Sequence, residues 1–279
     1  MVGLALAVWG GWTWRRSEGD ALARARQTGV IRIGYAVEAP YAFLSPEGQV
    51  TGEAPAIARV IASRLGIARI EWRLAEFAGL IDDLEDGRFD VIAAGMFATP
   101  DRQRRVAFSR PTFRAGPGLL VRRGNPQGLH SYAELLRKRE TRVAVLMGSM
   151  EEAHLRRIGC PEERLLRVPD AMSGRVAVRS GQADALALSA PTLRWMTLHP
   201  IAGVTEMAAP FAEPEGGLAP PSAEGGFVFR RGEVALREAW DAELARFVGS
   251  EEHRRLVAAF GFTPAELPGA GAPLRPAFP

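Results

Sequence analysis

The chain of 279 residues has a single cysteine, Cys160, so no internal disulfide can form. Lysine is almost absent: Lys138 is the only one among 35 Lys and Arg. Acidic residues number 32, and the formal net charge is only +3. The arginines are scattered among acids, not gathered into a stripe, which argues against a nucleic-acid partner. The four histidines, His130, His154, His199 and His253, lie far apart, and no Cys/His spacing of a metal centre occurs. GxSxG, P-loop and GxGxxG signatures are missing too, so the sequence implies no nucleophile elbow, no nucleotide loop, no metal and no cofactor. No apolar run is long enough for a comfortable membrane span.

What is present is a globular composition, 47% hydrophobic and 24% charged, in a chain long enough for two domains. The N-terminal "MVGLALAVWGGWTWRR" has about a dozen apolar residues, the length of a signal-peptide h-region. Ala21-Leu22-Ala23 offers a cleavage site, so residues 1–23 read as a signal or anchor segment. Arg15 and Arg16 follow the apolar run instead of preceding it, as a start codon placed too late would explain. The expectation is an exported protein, cleaved or held by a short anchor near the cytoplasmic membrane. The alternative is a buried N-terminal helix with Trp9, Trp12 and Trp14 in a core.

Further along, strand and helix periodicities alternate. "VIRIGYA" is a strand; "GEAPAIARVIASRLGI" is a helix with Ile57, Ile61 and Leu65 on one stripe. "ARIEWRLA" is a strand, "FAGLIDDLEDG" a helix and "FDVIAAG" a buried strand, and the pattern repeats from "TRVAVLMGS" through "ADALALS". This predicts an α/β fold of two lobes, each a mostly parallel sheet flanked by helices. Gly87-Arg88-Phe89-Asp90 is echoed by Gly181-Gln182-Ala183-Asp184, each just before a buried strand. A second echo pairs "LLVRRGN" (Leu119 to Asn125) with "FVFRRGE" (Phe227 to Glu233). These read as two hinge strands, giving residues 24–121 with 226–263 as the first lobe and 122–225 as the second. The Pro/Gly/Ala-rich residues 264–279 read as a disordered tail.

Ligands of open α/β sheets bind beyond the carboxyl ends of the strands. One such end is "AAGMFATPDRQRRVAFSRP" (Ala93 to Pro111). Thr99 suits an N-cap, Pro100 the first helical position and Asp101 the positive end of the dipole. Arg102, a cation in the first turn, is out of place unless an anion binds there. Arg104 and Arg105 read as outward-facing.

The run "TPDRQRRVAFSRP" together with the "GRFD" turn resembles type II periplasmic solute-binding proteins of the polar amino acid class, the capture subunits of ABC importers. The resemblance covers about Leu22 to Phe262. "GYAVEAPYAF", "TGEAPAIARVI", "LVRRGNPQGLHSY" and "VPDAMSG" are most similar to ectoine- and hydroxyectoine-binding proteins. The resemblance implies a periplasmic, non-enzymatic, monomeric protein that hands its ligand to permease subunits. It also implies that Arg102 holds a ligand carboxylate, met from the second lobe by Ser149, Met150 and Glu151 in the loop Gly148–Glu151.

Two departures from the amino-acid pattern bear on the ligand. Phe97 stands where a threonine is usual, and Ser189 where an aspartate usually pairs with the α-ammonium. Glu38, with the rings of Tyr41, Phe77 and Phe97, reads as the replacement: an acid and aromatic faces for a flat, delocalised cation. Each also has a plain structural alternative: Tyr41 and Phe77 as packing, Glu38 as a solvated loop acid, Glu151 as an ordinary helix-start acid. Besides a compatible solute, the alternatives are a polar amino acid ligand and a cyclohexadienyl dehydratase-like enzyme using Glu38 as proton donor. The enzyme needs a raised pKa, whereas a neighbouring arginine is expected to keep Glu38 ionised.

Overall fold

A computed structural model describes residues 21–198, 204–212, 218 and 223–268. Its strands are β1 (Val30–Tyr35), β2 (Phe43–Leu44), β3 (Val50–Thr51), β4 (Arg69–Leu74), β5 (Val91–Phe97), β6 (Ala107–Phe108), β7 (Phe113–Ala115), β8 (Pro117–Arg122), β9 (Val143–Leu146), β10 (Leu165–Val168), β11 (Ala185–Ser189), β12 (Thr205–Met207) and β13 (Ala223–Phe229). The helices are α1 (Ala21–Thr28), α2 (Glu53–Arg64), α3 (Leu80–Glu85), α4 (Pro100–Arg105), α5 (Tyr132–Arg137), α6 (Met150–Arg157), α7 (Ala171–Ser180), α8 (Ala190–Leu198), α9 (Val234–Phe247) and α10 (Glu251–Ala258).

One sheet has the order β4-β1-β5-β13-β6, with β7 also on β13; the other has the order β10-β9-β11-β8-β12. Each begins with three parallel strands followed by an antiparallel one, β13 in the first and β8 in the second. The two echo strands are therefore equivalent members of two similar sheets. Phe229 pairs with Val91 and Val121 with Ala185, so the arginines that follow, Arg230 and Arg122, hold matching places.

The helices form where apolar residues recur every three or four positions. Ile57 and Ile61 of α2, and Leu236, Trp240, Leu244 and Phe247 of α9, are fully buried under the first sheet. The glycine–aspartate echo also has a physical basis. The Asp90 carboxylate accepts the Arg32 N–H of β1 at 3.1 Å, and the Asp184 carboxylate accepts the Arg142 N–H, one residue before β9, at 2.9 Å. In both lobes the aspartate ties the start of its own strand to the start of the neighbouring parallel strand.

Three expectations are corrected. The echo strands are not connectors, because β8 lies between β11 and β12, and β13 between β5 and the β6/β7 pair, so their backbone groups are committed within a sheet. The chain crosses at Gly116, between Ala115 on β13 and Pro117 on β11, and returns between Met207 and Ala223. Sheet membership thus puts Pro117–Val121 with the second sheet. Second, Ala21–Ala23 belong to α1: Ala21 is buried and its N–H donates to Glu233 Oε2 at 3.0 Å. A cut after Ala23 would remove that turn; residues 1–20 lie outside the described residues. Third, the tail does not start unstructured. Thr263 caps a 3-10 turn, Pro264–Glu266, and the buried Glu266 pairs with Arg194 at 2.9 Å. Residues 269–279 lie outside the described residues. The chain after β11 passes directly into α8, whose second residue, Pro191, is tolerated in a first turn. Among the described residues no helix is long and apolar enough to cross a membrane.

Candidate functional site

The loop after β1 turns back on itself. Glu38 and Ala42 exchange backbone hydrogen bonds of 2.8 and 3.0 Å. This places Tyr41 flat against Gly95 in the middle of β5, where an added Cβ would come within 2.3 Å of the tyrosine ring. Gly95 also has φ +65°, so no other residue suits that strand position. Tyr41 is fully buried, 4.7 Å from the Phe113 ring and 5.4 Å from the Phe262 ring. Phe97, at the end of β5, meets the same Phe113 edge-on at 5.2 Å.

Arg102 lies in the first turn of α4. Its N–H donates to the Thr99 side chain at 3.3 Å, and Pro100 opens the helix, as the spacing predicts. The half-buried guanidinium donates through Nη1 to the Phe97 carbonyl at 2.8 Å and through Nη2 to the Gly148 carbonyl of the other lobe at 2.9 Å. Phe77 stacks on it, with Cζ 5.4 Å from the ring centre. Arg104 pairs with Asp101 on the exposed side, and Arg105 with Asp82 and Glu85.

From the second lobe, Ser149 caps α6, its hydroxyl accepting the Glu152 N–H at 3.1 Å. The Met150 side chain is buried in the apolar cluster that holds Tyr41, Phe97 and Phe113, so it reaches across the cleft. Gly148 is pressed on Ala78, where a Cβ would lie 3.0 Å from the Ala78 Cα. Outside Arg102 an open groove of about 580 Å³ separates the starts of α4 and α6.

A chain of hydroxyls crosses between the lobes. Tyr41 donates to Ser189 Oγ at 3.2 Å, Ser189 and Thr192 lie 3.2 Å apart, and Thr192 donates to Glu38 Oε1 at 2.8 Å. All four residues are buried, and with the Arg102–Gly148 bond they hold the lobes closed. The eight predicted residues, Glu38, Tyr41, Phe77, Phe97, Arg102, Ser149, Met150 and Glu151, all line or approach this one closed interface.

The electrostatics correct one expectation. Burial pushes the Glu38 carboxyl up to about 7, with Glu151 adding to the rise while Thr192 and Arg102 oppose it. The arginine does not win, because desolvation of a fully enclosed acid outweighs one nearby cation. Glu151 is likewise raised to about 7 by burial, and its Oε1 is buried without a hydrogen-bond partner among the described residues. Burial lowers Arg102 to about 10, against the pull of Glu151 and Glu38. The site is thus two acids from opposite lobes facing one guanidinium, floored by rings. Among the described residues no His/Cys/Asp/Glu group is arranged to hold a metal.

Sequence reasoning did not find Phe113, which both cleft rings share, or Thr192. Phe113 has no periodic partner in sequence, since β7 is three residues long. Thr192 sits in the first turn of α8, far from Glu38 in sequence, and only the approach of the lobes brings the two together.

The family model for bacterial extracellular solute-binding proteins, family 3, matches residues 31–263. A probable amino-acid ABC transporter periplasmic-binding protein, y4tE, of Sinorhizobium fredii is 30% identical over 248 residues, 88% of this chain and 81% of that one. Among solved structures, EhuB in complex with hydroxyectoine aligns with a TM-score of 0.81 at 32% identity, covering 88% of this chain and 93% of that one. The ancestral amino acid-binding protein AncCDT-1, a precursor of cyclohexadienyl dehydratase, aligns with a TM-score of 0.74 at 25% identity, covering 86% and 98%. With two similar sheets closed over a half-buried arginine and a match that spans both, the chain belongs to the bacterial extracellular solute-binding proteins of family 3.

Proposed function

We propose that the protein captures a small zwitterionic compatible solute, ectoine or hydroxyectoine, outside the cytoplasmic membrane and delivers it to ABC permease subunits, without chemistry of its own. The observation that carries this reading is that Arg102 and Glu38 share one ring-lined cleft and feel each other's charge, while position 189 is a serine that accepts from Tyr41. Arg102 takes the ligand carboxylate. Glu38 takes the N–H groups of a cyclic amidinium, and Tyr41, Phe77 and Phe97 enclose its flat faces. Each cation–π contact contributes about 0.5–2 kcal/mol, so three supply a large share of the ~8 kcal/mol behind a micromolar site. The likeness to EhuB supports the same ligand class.

A polar amino acid is the second reading, and one observation favours it: the buried Glu151 oxygen without a partner could receive an α-ammonium group. A dehydratase-like activity would use Glu38, whose raised pKa suits a proton donor, but its Oε1 is engaged by Thr192. The apolar N-terminal segment serves export, ending before Ala21 so that α1 stays whole.

A thermal-shift screen against ectoine, hydroxyectoine and the standard amino acids tests the ligand. At 100 times its Kd a ligand stabilises by about 2.7 kcal/mol, a shift of several degrees. Ectoine or hydroxyectoine is expected to raise the melting temperature; a response to glutamine or arginine with none to ectoine selects the second reading. Turnover of prephenate by the purified protein would contradict the binding-only reading.

A further inference from the structure

We propose that Thr192 is a positioning residue for Glu38, so that the acid which recognises the ligand cation is fully set only when the second lobe has closed. This rests on the reading of the cleft as a site for a small zwitterion.

Glu38 and Tyr41 belong to the loop after β1 in the first lobe; Ser189 ends β11 and Thr192 lies in the first turn of α8, both in the second. Each hydroxyl owns one proton. Thr192 gives its proton to Glu38 Oε1 at 2.8 Å, so in the 3.2 Å contact with Ser189 it must be the acceptor. Ser189 therefore donates to Thr192 and accepts from Tyr41 at 3.2 Å. With Glu38 ionised the order is Tyr41 to Ser189 to Thr192 to Glu38. It starts and ends on the first lobe, and its two middle members come from the second. One carboxylate oxygen of Glu38 is committed to Thr192, and the other is the one assigned to a ligand N–H.

Opening the lobes breaks both crossings at once. Glu38 then keeps its backbone tie to Ala42, but its side chain loses the group that fixes its rotamer. A cation entering the open cleft meets an acid that is not yet aimed, and closure supplies the aim. Thr192 is fully buried, so its methyl also packs; replacing it with valine removes the hydroxyl and keeps the volume. Three other charged or titratable groups act on Glu38: Glu151 on α6, Arg102 on α4 and Tyr41 on its own loop. A hydroxyl donor favours the ionised acid, so its removal moves the acid-side loss of affinity to higher pH.

The test is calorimetric titration of the full chain with ectoine and, in a parallel arm, with L-glutamine, at pH 5 to 8. Thr192→Val is expected to weaken binding at least tenfold and to move the acid-side midpoint upward by about half a pH unit. Thr192→Ser, which keeps the hydroxyl, is expected to bind within threefold of the parent. Melts of the unliganded variants check folding, and Thr192→Ala replaces the valine variant if that one does not fold. A valine variant that binds within threefold, or one that binds weakly with an unmoved midpoint, overturns the role of Thr192 alone. A parent that binds neither ectoine nor glutamine overturns the reading of the cleft, and this assignment with it.

Discussion

In the first lobe Asp90 is fully buried beneath three arginines, Arg24 at 2.5 Å, Arg32 at 2.6 Å and Arg230 at 3.5 Å. In the second, Asp184 holds the matching place with the Arg142 N–H at 2.9 Å and the Gln127 side chain at 3.3 Å. The same short turn thus carries an ionic cluster in one lobe and a backbone clamp in the other. The cores differ likewise. Trp240, Phe227, Phe229 and Phe247 fill the first, while Leu119, Val121, Val143 and Val145 fill much of the second. The site follows the same division. The long side chains of the candidate site, Glu38, Tyr41, Phe77, Phe97 and Arg102, come from the first lobe. The second supplies Met150, Glu151, a capping serine and two short hydroxyls. Two sheets of the same topology thus carry different cores and different shares of the candidate site, aromatic and ionic in the first lobe, aliphatic in the second.

If the first lobe carries most of the ligand contacts, the largest effect is that of Arg102→Ala. A ligand carboxylate enclosed without its partner costs about 3–5 kcal/mol, more than a hundredfold in affinity by titration calorimetry. The unliganded melt should move little, because Thr99, Pro100 and Asp101 still start α4. A variant binding within threefold of the parent breaks the comparison at its centre.

Next comes the aspartate pair. Asp90→Ala leaves Arg24, Arg32 and Arg230 facing one another and should cost about 3–5 kcal/mol in urea unfolding, against about 1–2 kcal/mol for Asp184→Ala. Equal losses would show that the turn, not the ionic cluster, is what each aspartate serves.

A smaller effect is tied to pH. Glu53, at the start of α2 behind Tyr41, is raised to about 8 by burial. Folded, it keeps a proton that the unfolded chain releases near 4.5, so its contribution to stability declines as pH rises from about 4.5 through 8. His253 acts oppositely: burial lowers it to about 4, so stability declines as pH falls from 6.5 through 4. Glu53→Gln should therefore raise the melting temperature by several degrees at pH 8.5 and hardly at all at pH 5. A shift of the same size at both values would rule out charge as the cause. Last, Arg104→Ala should change affinity by less than twofold, since its partner Asp101 faces solvent.

The alternation of strand and helix was legible because burial imposes periods on each segment by itself. Arg102 was legible because a cation in a helix's first turn violates a local rule, and violations of that kind mark sites. The echo aspartates were legible as a repeat, though not as clamps on neighbouring strands, since Arg32 and Arg142 are far from them in the chain. The position of the crossings was not legible: an apolar strand that ends one lobe looks the same as one that starts the next.

By itself, then, the sequence determined the elements, the duplicated sheet, and the cation at the end of β5, all consequences of neighbours within a few residues. Only the tertiary structure decided that Phe113 joins the two cleft rings, that Glu38 meets Thr192 across 154 positions, and that burial lifts two acids toward neutrality against a nearby arginine. These depend on which groups close around one another and how much water they exclude, quantities that no local stretch of chain contains.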